Sequence, residues 1–181
     1  MTAVNVTISG GDAILQRLRE LARSNGLVKA GIVEGSRNAA EVLKYAPIQE
    51  FGGQIEVTPK MRGFLAANYG IHLKASKTHL TIPARSFLRT TFQEHWQEWR
   101  DIIAQALAVG YPPDVALDFA GGRMMEDIVD KIKSSMPPPN SEATNLIKRQ
   151  EAPEMVGRTL QHTGQLVHSI WYEVSGNDES A

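Results

Sequence analysis

The feature that most constrains this chain is an apolar stripe recurring in steps of three and four, from Leu88 through Phe92, Trp96, Trp99, Ile103, Ala106 and Leu107. At 3.6 residues per turn this spacing puts all of these side chains on one side of a long helix. Ser86 stands where an N-cap is needed, and Gly110-Tyr111-Pro112-Pro113 closes the stretch, because proline has no amide to donate and clashes with the turn before it. A second stripe, Leu117, Ala120, Met124, Ile128 and Ile132, follows an opening Asp114. Its Gly121-Gly122 pair weakens it by about 1 kcal/mol per exposed glycine. Aromatic residues that share a stripe with aliphatic ones are core far more often than contact surface, so Phe92, Trp96 and Trp99 are expected to be buried.

The flanking segments have other periods. Val4, Val6 and Ile8 alternate with polar residues as a half-buried strand does. A helix capped by Asp12 follows, carrying Ile14, Leu18, Leu21 and Ala22 on one face and ending at Asn25-Gly26. Residues 27–34 are branched and small and predict a strand. Residues 39–51 predict a helix that Pro47 must interrupt or restart. Residues 55–58 predict a short strand, and Pro59 a helix start leading to Met61, Phe64, Leu65 and Ala66, with Gly70 as its end. Ile71-His72-Leu73 and His79-Leu80-Thr81-Ile82 are expected as two strands around a polar loop. Pro137-Pro138-Pro139 is expected to be extended. Asn140 or Ser141 caps a short helix, Thr163 caps a further turn, and Ile170, Tyr172 and Val174 alternate as a last strand. Strands early and late with long helices between them predict an α+β fold, a small antiparallel or mixed sheet packed against two or more long helices. Residues 1–175 are expected to form one domain, with mobile loops near 74–78 and 137–159 and a disordered tail at 176–181.

At 181 residues the chain can bury a sizeable core without staples. It contains no cysteine, which excludes a disulfide framework, a zinc ribbon and a thiol nucleophile. A net charge of −1 lacks the basic excess of a dedicated nucleic-acid binder, and no run reaches the ~20 apolar residues of a bilayer span. The five histidines, His72, His79, His95, His162 and His168, have no metal-ligand spacing. No glycine pair leads into a phosphate-gripping Gly-Lys-Ser/Thr, and no Gly-x-Ser-x-Gly elbow exists. Arg85, Arg89, Lys60 and Arg62 flank helix starts and are read as solvated rims, with a basic edge facing nucleic acid as the sharper alternative. No catalytic residue, cofactor site or metal site is expected.

Four short segments in fixed order carry a resemblance. They are Val28-Lys29-Ala30-Gly31-Ile32-Val33 leading to Ala46-Pro47-Ile48-Gln49-Glu50-Phe51-Gly52; residues 82–88, with Pro83, Arg85, Phe87 and Leu88; residues 138–144, with Pro138, Asn140, Ser141 and Thr144; and Thr163-Gly164-Gln165-Leu166 ahead of the terminal strand. In this order the chain resembles the tail-completion and virion-morphogenesis proteins of tailed bacteriophages, the minor tail or neck proteins near the head-to-tail junction. Two positions depart from that pattern. Ser86 stands where family members often have proline, and His162 where they often have aspartate.

The resemblance implies a structural, non-enzymatic protein of the virion, made in the bacterial host cytoplasm, that completes the tail or joins it to the head. The implied partners are further copies of itself in a closed, six-fold ring made by head-to-tail contacts, and the tail tube or terminator and the head connector. It implies no membrane, and nucleic acid is a disfavoured partner, admitted only beside the DNA channel. The marked motif positions are expected to serve structure or assembly. The alternatives are a terminator or adaptor at a neighbouring layer and, from another class, a nucleic-acid-binding packaging accessory.

Overall fold

The computed structural model describes residues 26–175, together with Leu15, Gln16 and Arg19, which are helical. The strand expected at Val4 to Ile8, most of the helix expected after Asp12 and the tail at 176–181 lie outside the described residues.

Two long helices dominate, α4 (Phe87–Val109) and α5 (Pro113–Lys133), joined by the predicted Gly110 turn. Before them come β1 (Leu27–Ile32), α1 (Ala39–Val42), α2 (Ala46–Phe51), β2 (Gly53–Glu56), α3 (Pro59–Tyr69) and β3 (His79–Ile82). After them come α6 (Glu142–Glu151), a single 3₁₀ turn (Pro153–Met155), α7 (Gln165–His168) and β4 (Ile170–Ser175). The fold is α+β. Its strands form two separate antiparallel pairs, not one sheet: β1 with β4, Leu27 opposite Ser175 and Ile32 opposite Ile170, and β2 with β3, Gly53 opposite Ile82.

The first pair lies on α5, and Gly121 is the point of closest approach. A Cβ there would fall 2.2 Å from Cδ2 of Tyr172. The Gly121-Gly122 pair is therefore no mere weakness in the helix: at Gly121 the missing side chain admits the Tyr172 ring. The Tyr172 hydroxyl donates to Asp118 at 2.9 Å on the same helix. Below the sheet, Val42, Ala46, Phe87, Ile128, Ile132, Met136, Leu166 and Ile170 form the main core, and Ala106, Leu107 and Ala116 a smaller one near the helix turn.

Several expectations need correction. Trp99 is 5% exposed, but Phe92 and Trp96 are 58% and 41% exposed, so two of the three aromatic residues of the stripe face outward. The helix is wider than the surface that covers it. Ile71-His72-Leu73 is not a strand, and β3 pairs instead with residues after Gly52. Arg62 is the reason: its guanidinium donates to the carbonyls of Leu73 (3.1 Å), Lys74 (3.0 Å), Ala75 (3.3 Å) and Lys77 (2.5 Å), which bends that segment into a loop. The proline run is not uniformly extended, since the chain bends at Pro137 and Pro138. Thr163 does not cap α7; the N-cap is Gly164 at φ +75, with no side-chain bond. Pro47, Pro59, Gly70 and Ser141 act as expected.

Candidate functional site

The short helix α2 ends by delivering Glu50 to the start of α4. Gly52, at φ +75, makes the turn that follows, and a Cβ on it would lie 2.8 Å from the Ala84 amide nitrogen. Only glycine lets residues 50–52 and 82–86 run so close. The carboxylate of Glu50, 3% exposed, accepts from the Ser86 hydroxyl at 2.5 Å, from the Leu88 and Arg89 amides at 3.0 and 3.1 Å, and from Nε of Arg89 at 3.2 Å. The unpaired amides of a helix start, and the positive end of its dipole, are thus met by an acid 36 residues upstream. Ser86 holds the N-cap position, yet its hydroxyl caps nothing and donates to Glu50 instead. Burial alone would raise the Glu50 pKa; the four hydrogen bonds outweigh it and hold it below the usual carboxylate range. Arg89 closes the arrangement by stacking over the exposed Phe51 ring at 4.6 Å.

The next residue back makes a second junction. The Arg85 amide donates to the Gln49 carbonyl at 2.7 Å, and its buried guanidinium donates to the Pro138 carbonyl at 2.9 and 2.7 Å and to Pro139 at 3.2 Å. Phe87 fills the core beside it, with no exposed surface. From Pro139 the chain passes to Asn140, whose amide donates to the Arg158 carbonyl at 2.9 Å, and to Ser141, whose hydroxyl accepts the Thr144 amide at 3.1 Å and so caps α6.

A third junction was invisible in the sequence. Lys148 on α6 is 4% exposed and donates to the carbonyls of Met155 (3.3 Å), Arg158 (2.5 Å) and Gln161, spending all three ammonium protons on one loop. Thr159 donates to Met136 at 2.8 Å and Gln161 to Ile132 and Lys133 at 3.3 Å, which bind that loop to the end of α5. Burial lowers the Lys148 pKa, and repulsion from Arg85 adds to it. A lysine in a polar helix carries no pattern that would mark it as buried.

Around these junctions opens a cleft of about 810 Å³. Of the sequence-predicted positions, Pro83, Arg85, Asn140, Ser141, Thr144, Thr163, Gly164 and Leu166 line it, while Leu65, Ile71, Leu73, Leu80 and Ile82 form apolar wall. Glu50, Phe51, Gly52, Phe87, Leu88 and Pro138 are not on its surface; Glu50, Phe87 and Pro138 instead hold or pack against residues of the lining-side segments. At the rim, Glu151 accepts from the Tyr69 hydroxyl and lies 3.1 Å from Nε2 of His162, tying α3 to the C-terminal segment.

On the far side, α4 and α5 bring together His95, Glu98 and Asp127. Asp127 accepts from the Trp99 indole at 2.7 Å, and Arg123 lies 3.2 Å from Asp127 and 3.1 Å from Glu98. With the Arg123 guanidinium against both carboxylates, the cluster is an ion-pair network. Phe92, Trp96 and Ile103 line a shallow apolar groove of about 490 Å³ next to it. Among the described residues no helix is long and apolar enough to cross a membrane. No family model matches the chain, and neither a curated protein nor a solved structure matches it.

Proposed function

We propose that this chain is a structural assembly protein of a tailed phage or prophage, one that completes the tail or joins it to the head at the neck, acting in the virion as part of an oligomeric ring. The observation that carries the reading is the meeting of motif segments that the sequence resemblance singles out. Glu50 grips residues 86–89, Arg85 grips residues 138 and 139, and the 138–144 and 163–166 segments share one cleft. Residues spaced over more than a hundred positions thus meet at one joint.

A non-catalytic role agrees with how the charges are used. Glu50, Arg85, Lys148 and Asp127 are buried, and their hydrogen bonds go to backbone groups or structural side chains. The exposed Phe92 and Trp96 offer apolar surface for subunit contact.

The test is light scattering and negative-stain imaging of the purified chain over a concentration series, alone and mixed with assembled tails. Rings, or density added at one tail end, are expected. A monomer that leaves tails unchanged at every concentration overturns the proposal.

A further inference from the structure

We infer that the cleft beside Arg85 and Lys148 is a docking site for an extended acidic peptide segment of a partner protein. This goes beyond the assembly role and does not depend on it. Three observations carry it.

The first is charge. The lining includes Lys77, Arg85, Lys148 and His162 and not one aspartate or glutamate. His162 already faces Glu151 at the rim, but Arg85 and Lys148 are hydrogen-bonded to carbonyls alone. Carbonyl dipoles satisfy their protons without cancelling their charge, so two buried cations are left facing each other's field across one wall. A carboxylate entering the cleft supplies the missing counter-charge. The positive end of α6, whose Ser141 and Thr144 also line the cleft, adds to the same field.

The second is backbone. Leu80, Thr81 and Ile82 are consecutive residues of β3, and all three line the cleft. Successive side chains of a strand point to opposite faces, so a strand contributes three in a row only where its edge borders the space. β3 pairs with β2 alone among the described residues, which leaves that edge open for an added strand. The third is shape. A volume near 810 Å³ walled by Leu65, Leu73 and Leu80 takes alternate apolar side chains of such a strand, while its acidic residues meet the cations opposite.

The experiment selects from a random decapeptide library on the immobilised full chain, then measures the affinity of the enriched peptides in solution. Acidic residues alternating with apolar ones should be enriched. Lys77→Glu, at an exposed position, should weaken binding roughly tenfold, the scale of one close charge pair, and Ala143→Trp should fill the cleft and abolish it. Circular dichroism and thermal melts check that both variants stay folded. Sodium phosphate should compete only as general salt does. Enrichment of neutral or basic peptides, no enrichment at all, affinity untouched by Lys77→Glu in the folded variant, or displacement by phosphate at concentrations where chloride has no effect would each overturn the inference, the last in favour of a small-anion site.

Discussion

The body of the molecule and the arm at residues 53–82 are held together by different physics. In the body, α4, α5 and the β1–β4 pair enclose Phe87, Trp99, Leu107, Ile128, Ile132 and Ile170, and apolar burial is the main source of cohesion. In the arm, α3 has no buried residue, every residue of β2 is exposed, and Val57 is the one buried hydrophobic residue. Its order comes from the β2–β3 ladder, the Val57 amide on Thr78, and the Arg62 guanidinium on four carbonyls. The cleft lies where the two kinds of construction meet. There Glu50, Arg85 and Lys148 use charge to bind backbone, which takes the place of a hydrophobic interface and leaves an open, polar wall.

The body should therefore be broken most easily by removing volume. Trp99→Ala deletes a buried ring and strands Asp127 next to Arg123, and is expected to cost about 3 to 5 kcal/mol in urea or thermal unfolding. The same substitution at the exposed Trp96 should cost far less, and a comparable loss at both sites would mean that the outward part of the stripe is covered.

At the junction, charge replaces volume as the vulnerable quantity. Glu50→Gln keeps the shape but loses an ionised acceptor for four donors, and about 2 kcal/mol of stability should go with it. Its pH dependence has a definite sign. The folded pKa of Glu50 lies below its unfolded value of about 4.3, so the carboxylate stabilises fully above that pH and its contribution is lost as pH falls through the folded pKa. The gap between wild type and Glu50→Gln should then shrink on acidification. A gap independent of pH would show that packing, and not the charge, matters here. Lys148 runs the other way: its depressed pKa is a penalty present at neutral pH and relieved as pH rises from the folded toward the unfolded value.

The adjacent glycines of α5 separate packing from propensity inside one element. Gly121→Ala drives a methyl into the Tyr172 ring and should cost about 1 to 3 kcal/mol. Gly122, where a Cβ meets nothing within 4 Å, should gain stability as alanine, by about 1 kcal/mol or somewhat less. Equal effects at the two sites would remove the close sheet-to-helix approach as an explanation. Thermal melts of the two variants decide it.

The body was also the legible part. Steps of three and four gave α4 and α5, and the terminal alternation gave β4, because burial on one face imposes a period. What periodicity does not encode is which face is finally covered, and so Phe92 and Trp96 lie exposed on a stripe whose Trp99 is buried. The arm and the cleft are less legible. Arg62 turning 73–77 into a loop, Lys148 gathering 155–161 and Glu50 capping a helix across 36 residues all act through backbone carbonyls or amides, which every residue carries. No side-chain pattern in the recipient segment announces such a bond. Likewise nothing in the sequence of residues 82–88 or 138–144 shows that the two segments meet, a contact that Arg85 makes on the carbonyls of Pro138 and Pro139.

Arg62→Ala tests the division between body and arm most directly, through the smallest change in global stability. Its guanidinium is on the surface and its four acceptors are in one loop, so the unfolding midpoint should move by less than about 1 kcal/mol. Locally the effect should be large. Amides of residues 71–82 should lose hydrogen-exchange protection by a factor of ten or so, while those of α4 and α5 keep theirs, because the arm opens as a unit distinct from the body. If protection falls equally throughout, the arm and body form one cooperative unit and cation-to-carbonyl bonding is not what holds the arm. If nothing changes, the β2–β3 ladder alone is sufficient, and the loop at 73–77 is shaped by Arg62 without being stabilised by it.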